Sequence, residues 1–138
     1  MNLDEKTIFE LIDKANKTRE CAFSPYSHFS VGAALLCKSG KIYTGCNIES
    51  EVFTPTICAE RTAIFKAMSE GERDFVAIAI LGGSSALSKV AEYCSPCGVC
   101  RQVLAEFCKA DNFDVILYNG TEYKIFKLKD LLPERFTL

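Results

Sequence analysis

Three cysteines, one isolated and two in a later C-x-x-C pair, constrain this 138-residue chain more than any other feature. They are Cys58, Cys97 and Cys100. Thiolates with this spacing are typical ligands of a soft metal ion, and Zn²⁺ is the usual occupant in proteins. Three protein ligands leave the fourth tetrahedral position open, as in a catalytic zinc site. Because Glu60 lies two residues after the first thiol, the pattern predicts a hydrolytic centre built from two distant segments.

The apolar pattern predicts a single α/β domain over residues 1–138, with a mixed sheet of about five strands and helices packed against it. The predicted strands are 29–37, 42–47, 76–81, 115–118 and 122–126, and the predicted helices are 3–20, 58–70, 98–108 and 128–132. Strand 76–81 is continuously apolar, which is typical of a central strand covered on both faces. Cys58 then begins one helix, and Cys97 and Cys100 lie in the first turn of another.

Charge and composition exclude several kinds of partner. The formal net charge is −2, whereas a protein that neutralises several phosphates needs a basic face. We therefore expect no nucleic acid polymer as partner. The polar, acidic first six residues are unlike a secretory leader, and the apolar run 76–81 is too short to cross a bilayer. We expect a cytoplasmic protein without a membrane partner.

Eight cysteines in a cytoplasmic chain favour metal binding over disulfides, because the compartment is reducing and one pair has C-x-x-C spacing. Four of them lie in apolar surroundings and are expected to be small buried hydrophobic residues: Cys21, Cys37, Cys46 and Cys108. The only histidine, His28, lies in the turn before the first strand and is not needed as a ligand.

The charge of the predicted metal site is itself informative. Three thiolates and Zn²⁺ sum to −1, which weakens the effect of the metal on a bound water. Two helix N-termini oppose this, each equivalent to roughly half a positive charge. Arg61 and Arg101 each follow a motif residue directly and could donate to a thiolate sulfur. We expect Arg61 to tune the electrostatics of the zinc site, and Arg101 is either a second donor or a surface cation.

Four segments follow one another in an order that is specific to one family. They are S-P-Y-S-H-F-S-V-G-A-A-L (24–35), G-C-N-I-E (45–49), C-A-E-R-T-A with P-C-G-V-C-R-Q (58–63 and 96–102), and L-L-P with Phe136 (131–136). Together they resemble the small, homotetrameric, zinc-dependent cytidine deaminases over nearly the whole chain. The resemblance implies a three-layer α/β/α fold with one Zn²⁺ per chain. It also implies a homotetramer whose active sites are shared between subunits.

The resemblance assigns a role to each candidate site residue. Cys58, Cys97 and Cys100 would hold the zinc, and Glu60 would shuttle protons. The substrate would be held by Phe29 against the pyrimidine, Asn47 and Glu49 at the ribose hydroxyls, the backbone of Ala59 at the base edge, and Phe136 closing a neighbouring subunit's site. The implied reaction is hydrolytic deamination of cytidine and 2′-deoxycytidine to the uridines, with release of ammonia, in pyrimidine salvage. Hydroxide generated at the zinc would attack C4, while Glu60 moves protons to N3 and the leaving amine.

Two positions depart from the family pattern. Phe53 stands where many members carry tyrosine, so a hydroxyl is absent there. Cys94 lies three residues before Cys97 and could supply a fourth thiolate that closes the site. A closed structural zinc site or an iron–sulfur cluster is therefore the non-enzymatic alternative. A cytosine-containing antibiotic or another aminated ring is the alternative substrate. Editing of a polynucleotide is disfavoured because no basic groove or additional aromatic platform is visible.

Overall fold

Strands and helices alternate along residues 2–138, the part of the chain described by the structure, which is a computed structural model. The strands are β1 (Phe29–Cys37), β2 (Ile42–Cys46), β3 (Phe75–Ser84), β4 (Asp114–Tyr118) and β5 (Tyr123–Lys127). The helices are α1 (Glu5–Thr18), α2 (Ala59–Ser69), α3 (Gly98–Phe107) and α4 (Leu128–Leu131), and a 3₁₀ turn (Arg19–Cys21) follows α1. None of the helices in this part of the chain is long and apolar enough to cross a membrane.

The strands form one mixed sheet in the order β2-β1-β3-β4-β5. β3 and β4 are parallel, and the other neighbours are antiparallel. The continuously apolar β3 is the central strand, as its sequence predicts. Its side chains alternate between two cores, with Ile78 and Ile80 on one face of the sheet and Ala79 and Leu81 on the other. This alternation is the geometric reason why a strand covered on both faces shows no polar positions.

Helices cover both faces of the sheet. The apolar stripe of α1, which includes Leu11 and Ala15, packs on the face that carries Leu81. Residues of α2 and α3, including Ile64 and Leu104, pack on the opposite face. The predicted three-layer α/β/α class with a five-stranded mixed sheet is therefore confirmed.

One prediction about the cysteines is wrong. Cys37, Cys46 and Cys108 are buried as expected, but Cys21 is exposed. The predicted helix 3–20 ends at Thr18, and the chain tightens into a 3₁₀ turn that ends at Cys21. The tighter winding changes the angle between successive side chains, so the 3.6-residue stripe of α1 cannot be extended to Cys21.

Gly45 in β2 allows α2 to lie unusually close to the sheet. A Cβ atom placed on Gly45 would be 2.5 Å from both Ala59 O and Ala63 N. Real Cβ atoms do not approach backbone atoms so closely, so any larger residue would push the helix away. Because α2 begins directly after Cys58, this contact also sets the position of the first metal-ligand candidate.

We expect Gly45→Ala to lower the free energy of unfolding by about 1–3 kcal/mol, the usual effect of forcing an extra methyl into a packed interface. Urea denaturation followed by circular dichroism measures this change. Gly98→Ala is the matched control, because no atom apart from its chain neighbours and the backbone of its own helix lies within 4 Å of its Cβ position. Alanine is also preferred over glycine in helices by about 1 kcal/mol, so this variant should be neutral or slightly more stable. Equal unfolding midpoints for the two variants would contradict the packing argument.

Candidate metal centre and active site

Three thiols meet where the N-termini of α2 and α3 come together. Cys58 is the N-cap residue of α2 and Cys97 is the N-cap residue of α3, whose first turn contains the fully buried Cys100. The three sulfur atoms lie within 4.8 Å of one another, and those of Cys58 and Cys97 are 3.9 Å apart. A tetrahedral zinc ion with Zn–S bonds of about 2.3 Å separates its sulfurs by about 3.8 Å. The spacing of the thiols therefore fits Zn²⁺.

The fourth candidate thiol lies outside this group. In the part of the chain that the structure describes, the cluster consists of Cys58, Cys97 and Cys100 and does not include Cys94. The Cys94 sulfur instead packs against β3, where a Cβ on Gly82 would be only 2.7 Å from it. Burial raises the pKa of the Cys94 thiol to about 11. This geometry favours an open site with three ligands.

Arg61 lies beside the cluster and stabilises its negative charge. Its Nη2 donates to the Cys58 sulfur at 3.3 Å. Hydrogen bonds from the Cys100 thiol and from Arg61 lower the pKa of Cys58. The hydrogen bond from Arg61 does not depend on a protonated Cys100, so it remains available when all three thiols are thiolates. Two helix N-termini contribute in the same direction, because their free N–H groups carry partial positive charge. Arg61 and the two helix N-termini thus offset part of the negative charge of a three-thiolate site.

Arg101 does not take part, so its alternative role as a second donor to sulfur is wrong. Its Nε donates to Pro96 O at 2.8 Å and its Nη1 to Leu131 O at 2.6 Å. Successive residues of a helix are rotated by about 100° around its axis. Arg101 follows Cys100 directly, so its side chain points away from the thiols. Arg101 instead ties the start of α3 to the C-terminal segment.

Glu60 is a buried acid in the first turn of α2, two residues after Cys58. Only 4% of the residue is exposed. Burial raises the pKa of the Glu60 carboxyl to about 7, since the charged form loses its water, and the Cys58 thiolate adds to this effect. A carboxyl with this pKa can both accept and release a proton near neutral pH.

Asn47 lies at the end of β2 and binds the beginning of β1. Its Nδ2 donates to Phe29 O at 2.8 Å, and its Oδ1 accepts from Val31 N at 2.9 Å. An amide has two N–H groups and two oxygen lone pairs, so one donor and one acceptor remain for a ligand. Asn47 therefore fixes Phe29 while keeping hydrogen-bonding capacity.

Glu49 holds the loop that precedes β1. Its Oε1 accepts from Tyr26 N at 3.0 Å and from Ser27 N at 3.1 Å. The hydrogen bond with Ser27 lowers the pKa of the Glu49 carboxyl, so the group is charged at neutral pH. Glu49 also lines a cavity of about 310 Å³ together with Tyr26 and Phe53.

The remaining candidates lie in two different environments. Ala59, the first residue of α2, is fully buried next to the thiols. Phe136, in the C-terminal segment, has 68% of its surface exposed, and its carbonyl accepts from Gln102 Nε2 at 3.2 Å. Phe53 is 74% exposed and has a φ of 59°, in the left-handed region. Within a single chain, the two phenylalanines are surface residues.

Arg19 is a buried residue that the sequence analysis missed. Only 5% of it is exposed, and its guanidinium lies beneath the ends of β1 and β3. One signal was available, since Arg19 follows Ala15 by four residues and so continues the apolar stripe of α1. A charged residue in such a stripe indicates a buried polar network.

The site combines a buried acid two residues after one thiol with a later P-C-x-x-C pair, and the thiols lie at two helix N-termini. This arrangement is typical of the class of zinc-dependent deaminases. The comparisons with known proteins narrow this class. The sequence model of the cytidine and deoxycytidylate deaminase zinc-binding region matches residues 5–115. This chain belongs to the cytidine and deoxycytidylate deaminase family, and its cofactor is zinc.

Individual relatives agree with this assignment. A cytidine deaminase of Halalkalibacterium halodurans is 46% identical over 127 residues, which cover 92% of each chain. A cytidine deaminase of Sporosarcina psychrophila is 52% identical over 99 residues, 72% of this chain and 68% of that protein. The crystal structure of cytidine deaminase from Burkholderia pseudomallei superposes with a TM-score of 0.84 and 39% identity, covering 97% of this chain and 100% of that one. The predicted family is therefore confirmed.

Proposed function

We propose that this chain hydrolytically deaminates cytidine and 2′-deoxycytidine to uridine and 2′-deoxyuridine with release of ammonia. The observation that carries the proposal is the buried Glu60 carboxyl beside an open cluster of three thiols. The relatives that cover nearly the whole chain bear the name of this activity. The reaction serves pyrimidine salvage in the cytoplasm, and residues 1–138 act as one catalytic domain.

Cys58, Cys97 and Cys100 would hold Zn²⁺, which would lower the pKa of a water molecule and so provide a nucleophile. Glu60 accepts the proton that this water loses and delivers it to N3 of the pyrimidine, which makes C4 electrophilic. After the water oxygen has bonded to C4, Glu60 takes the proton of the resulting hydroxyl and gives it to the amine, whose bond to C4 then breaks to release ammonia. Its raised pKa suits both steps, because neither the acid nor the carboxylate is strongly preferred near neutral pH. Arg61 keeps the Cys58 sulfur in its thiolate form.

The substrate is held by residues that lie around the ends of β1 and β2. The Phe29 ring, 42% exposed, lies against the pyrimidine. Asn47 and Glu49 bind ribose hydroxyls with the hydrogen-bonding capacity that their backbone contacts leave free. The backbone of Ala59 reads the edge of the base. Phe136 closes the site of a neighbouring subunit in a homotetramer, a role supported by its exposed ring in the single chain.

The direct test is the ultraviolet absorbance of cytidine incubated with purified protein, with zinc determined in the same sample. We expect the cytidine band to disappear and about one zinc ion to be bound per chain, as for a catalytic site with three protein ligands. Bound zinc without turnover of cytidine or deoxycytidine would overturn the proposal. Turnover confined to a cytosine-containing antibiotic would instead assign the site to that alternative substrate.

We expect Glu49→Gln to raise KM for cytidine by about tenfold or more, because a hydrogen bond to a charged group contributes about 1.5–3 kcal/mol. The internal control is 2′,3′-dideoxycytidine, which lacks the hydroxyls that Glu49 would bind. Its KM should be the same for both enzymes. An equal rise in KM for both nucleosides would show that Glu49 acts only through the Tyr26–Ser27 loop.

A further inference from the structure

The guanidinium of Arg19 is buried without a carboxylate partner. Neither of the two ion pairs in residues 2–138 involves it. All its nitrogens are held by oxygens of uncharged groups: Nε donates to Ser30 O at 2.9 Å, Nη1 to Asn16 Oδ1 at 3.3 Å and Ser88 O at 3.4 Å, and Nη2 to Ser84 O at 3.2 Å and Leu87 O at 3.3 Å. Burying a cation without a counter-ion has a desolvation cost, which these hydrogen bonds offset. Arg19 therefore links its hydrogen-bond acceptors at a cost that an apolar side chain would not have.

Three of the carbonyl groups that Arg19 binds belong to residues close to Phe29. Ser30 follows Phe29 in β1, and Ser84 is opposite Phe29 in the β1–β3 register. Leu87 lines a cavity of about 190 Å³ together with Phe29. The Arg19 side chain thus connects β1, which carries the Phe29 ring, with β3 and with the segment that follows β3.

The ring itself lies on backbone. A Cβ on Gly82 would be 2.9 Å from Phe29 Cε2, so the ring packs directly over the main chain of β3. At the next position, a Cβ on Gly83 would be 3.3 Å from Arg19 Nη2. Successive residues of a strand face opposite sides of the sheet, so the ring and the guanidinium contact opposite faces of β3. Neither glycine carries a side chain that would separate these groups from the main chain, so the position of the ring depends on how the ends of β1 and β3 are placed. Those ends are what Arg19 holds.

We propose that Arg19 is a positioning residue that holds Phe29 in the orientation needed to lie against the pyrimidine. This inference rests on the proposed function, in which Phe29 contacts the base. The planar guanidinium supplies five N–H groups in a fixed fork, whereas lysine offers a single flexible ammonium. Lysine at this position therefore preserves the charge but cannot bind both strand ends and the 84–88 segment together.

Steady-state kinetics of Arg19→Met and Arg19→Lys with cytidine test the inference. We expect KM to rise about tenfold in each, within the range that stacking of a base on an aromatic ring contributes. The kcat and the zinc content should remain close to those of the unmodified chain, because Arg19 contacts neither the thiols nor Glu60. Ile8→Ala is the matched control, since it removes a buried side chain from α1, the helix that directly precedes Arg19, and should leave KM unchanged. An unchanged KM in both Arg19 variants would overturn the inference.

A double-mutant cycle with Phe29→Ala separates positioning from a general loss of stability. If Arg19 acts through the ring, Arg19→Met should raise KM much less when Phe29 is already alanine. Equal rises in KM in both backgrounds would overturn the inference.

Hydrogen exchange provides a readout that does not depend on activity. Exchange in residues 27–31 and 83–89 should be faster in Arg19→Lys than in Ile8→Ala, and equal exchange would also overturn the inference. Failure of the unmodified chain to consume cytidine would overturn the proposed function, and with it the role of Phe29 against the pyrimidine. The hydrogen-exchange comparison would still show whether Arg19 holds the ends of β1 and β3.

Discussion

Replacement of Glu60 by glutamine is expected to lower kcat for cytidine by about 10²- to 10⁴-fold, the usual contribution of a positioned acid–base group. Glutamine has the same shape as glutamate, but it cannot accept the proton from water or deliver it to N3 of the pyrimidine. Fold and zinc content should be retained, because the thiols are unchanged and a neutral amide is less costly to bury than a carboxylate. Single-turnover and steady-state assays, with zinc analysis of the same samples, measure these quantities.

Glu106→Gln is the matched control for this experiment. It makes the same chemical change at an exposed position of α3 and should leave turnover unchanged. Near-normal turnover in Glu60→Gln would remove Glu60 from the reaction. Loss of zinc in that variant would show instead that the carboxyl supports the metal site.

Serine at position 58, 97 or 100 is expected to abolish both bound zinc and turnover. A hydroxyl is a poor ligand for a soft metal ion, and it is not deprotonated at neutral pH as a coordinating thiol is. After dialysis against a metal-free buffer, each variant should retain far less than one zinc ion per chain. Atomic absorption and the cytidine assay provide the two readouts.

The Cys94→Ser variant distinguishes an open zinc site with three thiolate ligands from a closed site with four. The Cys94 sulfur packs against Gly82 rather than joining the cluster, so this variant should keep its zinc and its turnover. Loss of zinc from Cys94→Ser would mean that a fourth thiolate closes the site, as the structural-zinc alternative requires. The same outcome would argue against a catalytic metal.

The parts of the fold that follow from local pattern were predictable. The stripe of α1 and the apolar run in β3 each indicate one element, and both elements are present, although α1 is shorter than predicted. Asn119-Gly120, a pair typical of tight hairpin turns, lies between β4 and β5. The second hairpin strand begins one residue later than predicted. Asn119 Oδ1 accepts from Thr121 N and Glu122 N, which holds both residues in the turn. The metal cluster was predictable for a similar reason, since Cys58 and Cys97 precede recognisable helices.

What the sequence did not reveal depends on contacts between distant segments. The carbonyl groups that bind Arg19 come from β1, from β3 and from the segment after β3, and no local pattern indicates that they converge. Such roles are set by the packing of the layers.

The meeting of two helix N-termini at the thiol cluster has a consequence for the lifetime of the protein. The sulfurs of Cys58 and Cys97 are 3.9 Å apart, yet about 40 residues of chain separate them. A metal clip that closes a loop of this length removes conformational entropy from the unfolded chain worth roughly 4 kcal/mol. By mass action, the thermal midpoint should then rise with free zinc and fall with a chelator. In a zinc-poor cell we expect more of the chain to be lost to proteolysis, which acts on the unfolded state. Zinc supply would then affect how much of the protein persists as well as whether it reacts.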